Sequence, residues 1–332
     1  MSLKQSIVNQ WYQRSPGMLR LLTPLSWLVA KHVVKRFAQR QLGLVNGVPV
    51  IVIGNISVGG TGKTPLIGSL IAHFQAKNLR VGVITRGYGG SLSGQQVVKV
   101  NNDHTAAEVG DEPLIHFSRG AAVFLCAQRA KAAELASREC DVILADDGLQ
   151  HYGLIRTIEV CVLDGARGLG NGQLLPVGPL REPASRLNSC DIAVVNHGEQ
   201  INEQKSVAHH AEFAMKVAPG ELRSVRDNEV QAQPVNRVTL VSGIGNPARF
   251  EDTVNALGIE WDQHIRFGDH HAYRAFDFDE AESQVLMTEK DAVKVASIAP
   301  ASSLYITIKA ELSSDFYTQL DALLSHKQQE FS

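Results

Sequence analysis

Apolar residues along the chain gather in short, dense runs set apart by stretches of helical length. Val50 to Ile53, Arg80 to Thr85, Asp141 to Ala145, Ile158 to Leu163, Ile192 to Val195, Val238 to Ser242 and Leu304 to Ile308 each read as a strand. Runs without polar alternation fit strands covered on both faces, as in a parallel sheet flanked by helices. Pro65 to about Lys77 has helical character, and Asp315 to His326 reads as a closing helix able to pack on either half. The pattern predicts an α/β fold with a doubly wound, mainly parallel sheet. A polar stretch from about Glu199 to Gln233, with Pro219-Gly220 inside it and Pro234 beside it, reads as a linker or ribbon. A second, smaller α/β domain would begin near Arg237. The expected division is an N-terminal helical segment over 1–46, the main core over 47–222, and the smaller domain with its final helix over 223–332.

Ahead of the first strand, Leu21 to Ala30 is the most apolar stretch, bracketed by Arg20 and Lys31. It is about half the length of a bilayer-spanning helix. Over Met18 to Arg40, at about 100° per residue, Arg20, Lys31 and Lys35 fall within roughly a 60° arc while Leu22, Ala30, Val33, Val34 and Phe37 gather elsewhere. Trp11, Tyr12 and Trp27 are types that favour a headgroup interface. Two readings stand: an amphipathic helix lying in a membrane surface, or a helix packed on its own domain with a solvated basic face. Charge tips the balance to the membrane. Residues 1–102 hold twelve Lys and Arg and no acidic residue, so a chain of net charge −2 hides a first third at +12. Such a surface expects an anionic partner, whether phosphate, acidic lipid or nucleic acid.

The remaining composition narrows the class. The chain's 332 residues leave room for about two domains of the usual 100–200 residues, and 44% hydrophobic content excludes a disordered chain. Cys126, Cys140, Cys161 and Cys190 form no CxxC pair and read as buried thiols rather than a zinc or redox site. No secretory signal is visible at the start.

After Val50 to Ile53 comes Ser57-Val58-Gly59-Gly60-Thr61-Gly62-Lys63-Thr64, then Pro65, which a first helical turn tolerates. Strand, glycine-rich loop and helix in that order are the context of a P-loop. Gly59, Gly60 and Gly62 would let backbone amides crowd a polyphosphate at the helix N-terminus. Lys63 would reach the β- and γ-phosphates, and Thr64 would give its hydroxyl to Mg²⁺. Ser57 departs from the P-loop pattern, which wants glycine there.

Other candidates sit at strand ends. Arg86 and Tyr88 follow the Arg80 to Thr85 strand and would border the same crevice. Asp146 and Asp147 follow the Asp141 to Ala145 strand and fit a Walker-B-type position beside the metal. Asp111 opens a helix, where capping alone is a sufficient alternative. Phe267-Gly268-Asp269-His270-His271-Ala272-Tyr273 is an imidazole-rich cluster that reads as a metal site or a surface turn. Phosphoryl transfer needs a base for the acceptor hydroxyl, and a carboxylate oriented by a histidine suits it; Asp111 with His270 is the pair of choice.

The motifs VGGTGKTP, RGYGG, GDEP, DDGLQH, GPLREP (Gly178 to Pro183), FGDHHAY and TEKDAVK (Thr288 to Lys294) occur in this order over most of the chain. Together they resemble the tetraacyldisaccharide 4′-kinases, the lipid A 4′-kinase family. The resemblance implies a membrane-associated enzyme at the cytoplasmic face of the bacterial inner membrane. It would move the γ-phosphate of ATP, with Mg²⁺, to the 4′-hydroxyl of a tetraacylated glucosamine disaccharide 1-phosphate; no nucleic-acid partner is implied. By motif, Gly59 to Pro65, including Thr61, hold the nucleotide, Thr64, Asp146 and Asp147 face the metal, and Asp111 and His270 form the catalytic dyad. Arg86, Tyr88, Glu112, Gln150, His151, Arg181 and Glu182 are implied on the substrate or transition-state side. Gly90 and Gly268 stand where the family often has Arg and Pro. A rival reading is a nucleotide-switch or assembly ATPase of the deviant P-loop class, although Val58 stands where that class carries a second lysine. A structural nucleotide-binding protein would leave Asp111 and the His270 cluster unexplained.

Overall fold

The computed structural model describes residues 3–13, 15–198, 209–234, 236–268 and 271–332. Its strands are β1 (Leu44–Val45), β2 (Val48–Gly54), β3 (Val81–Thr85), β4 (Val98–Lys99), β5 (Ala122–Leu125), β6 (Val142–Asp146), β7 (Ile158–Asp164), β8 (Ile192–Asn196), β9 (Glu212–Ser224), β10 (Val238–Ser242), β11 (Trp261–Arg266), β12 (Gln284–Thr288) and β13 (Leu304–Leu312). Its helices are α1 (Leu3–Trp11), α2 (Thr23–Phe37), α3 (Lys63–Gln75), α4 (Ala106–Val109), α5 (Asp111–Ser118), α6 (Arg129–Ala136), α7 (Pro247–Ala256), α8 (Glu289–Val295) and α9 (Ser314–Phe331). One sheet runs in the order β11-β10-β12-β13-β9-β8-β7-β2-β6-β3-β5-β4, with β1 paired to β2. Pairing is parallel except for β1 with β2, β4 with β5 and β9 with β13.

The β-branched run of β2 explains its place between β6 and β7. Ile51 and Ile53 turn to one face, packing with Leu66 and Leu70 of α3 and Phe316 and Leu320 of α9. Val50 and Val52 turn to the other, with Ala132 and Ala133 of α6 and Leu149. Successive side chains alternate faces, so a run with no polar residue demands cover on both sides. The doubly wound core expected from the sequence is present. The closing helix packs back onto this main core, where His73 of α3 meets Asp321 of α9 at 3.0 Å.

Where a linker or ribbon is read from the sequence, the described residues contain β9, thirteen residues long. Its start pairs parallel with β8, and Met215 to Ser224 pairs antiparallel with β13. Proline cannot donate to a ladder, and Pro219 is accommodated where the β9–β13 register shifts, between Ile306 and Ile308. The sheet thus passes from the main core into the smaller α/β half without a break. Residues 199–208 of the expected linker lie outside the described residues. At the N-terminus, the expected helical stretch is a 3₁₀ turn over Gly17–Leu22 followed by α2, with Pro24 in the first turn.

Replacing Phe316, which is fully buried, by Ala should cost about 3–5 kcal/mol in urea unfolding of the whole chain. A cost below about 1 kcal/mol would mean that α9 is not part of the main core.

Candidate active site

The loop between β2 and α3 is held from outside. Asn55 Nδ2 donates to the Gly59 carbonyl at 3.1 Å, Arg167 to the Gly60 carbonyl at 3.3 Å, and Asn196 Nδ2 to the Thr61 carbonyl at 3.0 Å. Val58 N–H donates to the Pro179 carbonyl at 2.9 Å. Three successive carbonyls are tied to the protein by these side chains. Gly62 enters α3 at φ +94°, and a Cβ there would lie 2.4 Å from Asn196 Nδ2 and 2.9 Å from Met215 Cε. Only glycine fits that turn. Beyond Gly60 a Cβ would meet nothing within 4 Å, so the loop opens to space at that point.

Charged groups converge beside the loop. Lys63 Nζ lies 3.3 Å from Asp147 Oδ1, and Arg181 lies 3.2 Å from Asp147 Oδ2. Burial opposes the charge on Asp147, but Lys63 and Arg181 outweigh it and hold its pKa below the ordinary aspartate value. Asp146, at the end of β6, is buried against His116 Nε2 at 3.3 Å. Thr64 Oγ1 donates to Glu112 Oε1 at 3.2 Å. Burial, and then the charge of Asp146, push the Glu112 pKa above its usual value. Thr64, Asp146 and Asp147 offer a hydroxyl and two carboxylates, a hard oxygen set suited to Mg²⁺. That ion uses one or two carboxylates and completes its shell with water and phosphate. Among the described residues no group of three or more His, Cys, Asp or Glu forms a cage of its own.

The second rim of the crevice comes from the segment after β6 and from GPLREP. Arg181 N–H donates to the Ile56 carbonyl at 2.7 Å, which sets this strand-like segment against the loop. Gln150 Nε2 donates to Glu182 Oε2 at 3.1 Å and to the Asn55 carbonyl at 3.0 Å. The Tyr152 hydroxyl also donates to Glu182, which is buried. Burial, with the charges of Arg129 and Arg36, depresses the His151 pKa to about 4. Arg86 disfavours the same charge from nearby. Tyr88 is 83% exposed, and its carbonyl limits the space at Gly110.

Asp111 is the first residue of α5 rather than its cap; Gly110 holds that position. Its Oδ2 lies 3.4 Å from Lys294 Nζ. Its expected partner His270 lies outside the described residues, as does Asp269. The neighbouring His271 bonds Asp277 at 2.9 Å and stacks on Phe267. Thus Lys63, Thr64, Glu112, Asp146, Asp147 and Arg181 form one cluster. Gln150 and Glu182 adjoin it, and Arg86, Tyr88 and His151 lie toward the rim. Sequence reasoning gave no role to His116, Asn196, Arg167 or Lys294. Of these, only Lys294 lies in a quoted motif, TEKDAVK.

A buried strand, a glycine-bent loop, a helix opening on Lys-Thr and an acidic neighbouring strand define a P-loop nucleotide-binding protein. The family model described as tetraacyldisaccharide-1-P 4′-kinase (LpxK) matches residues 18–325, and the chain belongs to this family. It is 42% identical over 328 residues to the tetraacyldisaccharide 4′-kinase of Aeromonas salmonicida, covering 95% of this chain and 94% of that one. With the same-named protein of Shewanella baltica strain OS155 it is 43% identical over 334 residues, covering 96% and 95%. The crystal structure of LpxK from Aquifex aeolicus in complex with ATP is similar, with TM-score 0.80 and 26% identity. That match covers 95% of this chain and 100% of that one.

Gly62→Ala places a Cβ in the left-handed turn and against Asn196. It should weaken ATP binding by about 100-fold or more in titration calorimetry and lower the unfolding midpoint by several degrees, the cost of a strained left-handed alanine, with the chain still folded. Unaltered affinity would show that the loop does not carry the nucleotide.

Proposed function

We propose that the chain transfers the γ-phosphoryl group of ATP to the 4′-hydroxyl of a tetraacylated glucosamine disaccharide 1-phosphate, the step named by its family. The observation that carries this reading is the convergence of Lys63, Thr64, Glu112, Asp147 and Arg181 beside a glycine-bent loop, with Asp111 one residue from Glu112. In our reading the backbone of Gly59 to Thr64 cradles the polyphosphate. Lys63 and Arg181 balance charge on its oxygens. Thr64, Asp146 and Asp147 would hold Mg²⁺, which when bound would supply charge neutralisation to the phosphates. Asp111 accepts the proton of the 4′-hydroxyl as that oxygen bonds to phosphorus and the bond to ADP breaks. His270 takes the orienting role that the family motif implies. Gln150, Glu182, Arg86, Tyr88 and His151 line the acceptor side. The functional division we adopt is an N-terminal segment over 1–46, a P-loop kinase core over 47–222 and a smaller domain over 223–332.

We further propose that the N-terminal segment lies in the membrane surface. Of α2, Ser26 alone is buried, bonding the Leu174 carbonyl at 3.0 Å. Leu21 of the preceding 3₁₀ turn and Leu25, Trp27 and Leu28 of α2 are between 49% and 78% exposed, followed by exposed Lys31 and Lys35. No helix among the described residues is long and apolar enough to cross a bilayer. An apolar patch continued by lysines suits insertion to headgroup depth with the ammonium groups at phosphate level. This reading puts the enzyme at the cytoplasmic face of the inner membrane, where an acylated acceptor and ATP are both within reach.

The deciding experiment supplies ATP, Mg²⁺ and a mono-phosphorylated acyl-disaccharide in mixed micelles. Phosphate on the sugar is expected; ADP release indifferent to the lipid would favour the switch-ATPase reading. Asp111→Asn should lower kcat by about 10²–10⁴-fold while the ATP dissociation constant stays within about threefold. Loss of ATP binding in that variant would overturn the assignment of Asp111 as base. Replacing Leu21, Leu25, Trp27 and Leu28 together by Ser should reduce binding to anionic vesicles by about tenfold or more, with ATP affinity retained. Unchanged vesicle binding would point to another anchor.

A further inference from the structure

The motif TEKDAVK has no role in the scheme above, yet α8, which it forms, packs directly on α5. Two charged pairs join them: Arg119, which caps α5, with Glu289 at 2.7 Å, and Lys294 with Asp111. The Lys294 ammonium lies 3.4 Å from Asp111 Oδ2 and 3.5 Å from Asp291 Oδ1, and its side chain is only 9% exposed. Asp291 is fully buried and fixed in turn: Thr288 Oγ1 donates to Asp291 Oδ2 at 2.6 Å and accepts from the Asp291 N–H at 3.3 Å. The Tyr273 ring lies 5.9 Å from the ammonium. Lys294 is therefore held from its own half of the molecule by the Asp291 carboxylate and the Tyr273 aromatic face. It presents its charge to a carboxylate of the other half.

We propose that Lys294 is a positioning residue for phosphoryl transfer: it crosses from the smaller half of the sheet to fix the orientation of the Asp111 carboxylate and to balance its charge. The inference rests on the reading of Asp111 as the proton acceptor. A carboxylate that takes a proton in the transition state must be held within a few tenths of an ångström and must begin the step charged. Without Lys294, Asp111 and Asp291 would face a vacated position as two like charges. Asp111 would then swing away or take up a proton, and either change ends its service as base. The geometry also makes the catalytic constellation incomplete in the main core alone.

The test compares wild type, Lys294→Ala, Lys294→Met, Lys294→Arg, Asp111→Asn and the double variant Lys294→Ala/Asp111→Asn. Radiolabelled ATP in single-turnover assays keeps the slow variants measurable. Lys294→Ala or Lys294→Met should lower kcat by about 30-fold or more with KM for ATP within about threefold. Lys294→Arg should recover at least about tenfold of that loss, because its guanidinium can still pair with a carboxylate. On the Asp111→Asn background, Lys294→Ala should cost less than about threefold, since the group it serves is already gone. Wild-type kcat in Lys294→Ala, or the full loss persisting beside Asp111→Asn, would overturn the proposal. Failure of both Lys294→Ala and Lys294→Met to fold would overturn it too, by making the pair structural. A wild-type kcat in Asp111→Asn would instead sink the reading of Asp111 as base.

Discussion

The chain passes from β2 into α3 through a left-handed residue with no space for a side chain, and the rest of the site is arranged around that turn. Gly62 is pinned between Asn196, at the end of β8, and Met215 on β9. The turn can hold this shape only because β2 is immobilised between β6 and β7 with both faces covered. Lys63 and Thr64 follow immediately, so their directions are inherited from the strand rather than chosen by their own contacts. The carboxylates they meet, Asp147 just past the end of β6 and Glu112 on α5, arrive at the same end of the sheet. That placement is the ligand crevice expected beyond the carboxyl ends of parallel strands.

A second constraint ties the N-terminal arm to the core. Glu159 on β7 has no solvent exposure and meets three guanidinium groups: Arg156 at 2.7 Å, Arg186 at 2.6 Å and Arg40 at 2.9 Å. Arg186 also lies 5.1 Å from the ring of Phe37, the last residue of α2, whose edge meets Tyr152. Buried charges are tolerable only when fully matched, because removing one partner leaves the others desolvated and unpaired. Tyr152 is shared with Glu182 of the crevice rim. The arm and the rim thus rest on one buried cluster.

Much of the core could be read from the sequence because the signal there is local. β2, β3, β6, β7, β8, β10 and β13 are β-branched or apolar runs, and the loop residues Gly59 to Thr64 lie next to one another. β9 escaped because Pro219-Gly220 looks like an interruption and is instead absorbed by a shift in pairing with β13. β11, Trp-Asp-Gln-His-Ile-Arg, is a polar edge strand without a continuous apolar face. Asp146 and Asp147 were legible as acids at a strand end. Their partners His116 and Arg181 were not paired with them, because those contacts cross between elements. Lys294 and Asp111 stand 183 positions apart, and no spacing rule links them.

The continuity of the sheet across β9 bears on how the chain can be divided. Its first residues complete the ladder beside β8, and the remainder lies against β13. A cut at 222/223 would strip β13 of its neighbour on one side, leaving only β12, and expose a row of open backbone donors and acceptors along that edge of a nine-residue strand. Exposed strand borders of that kind recruit other chains. Fragments made there would tend to self-associate, so any dissection into stable pieces has to keep β9 together with both of its flanks.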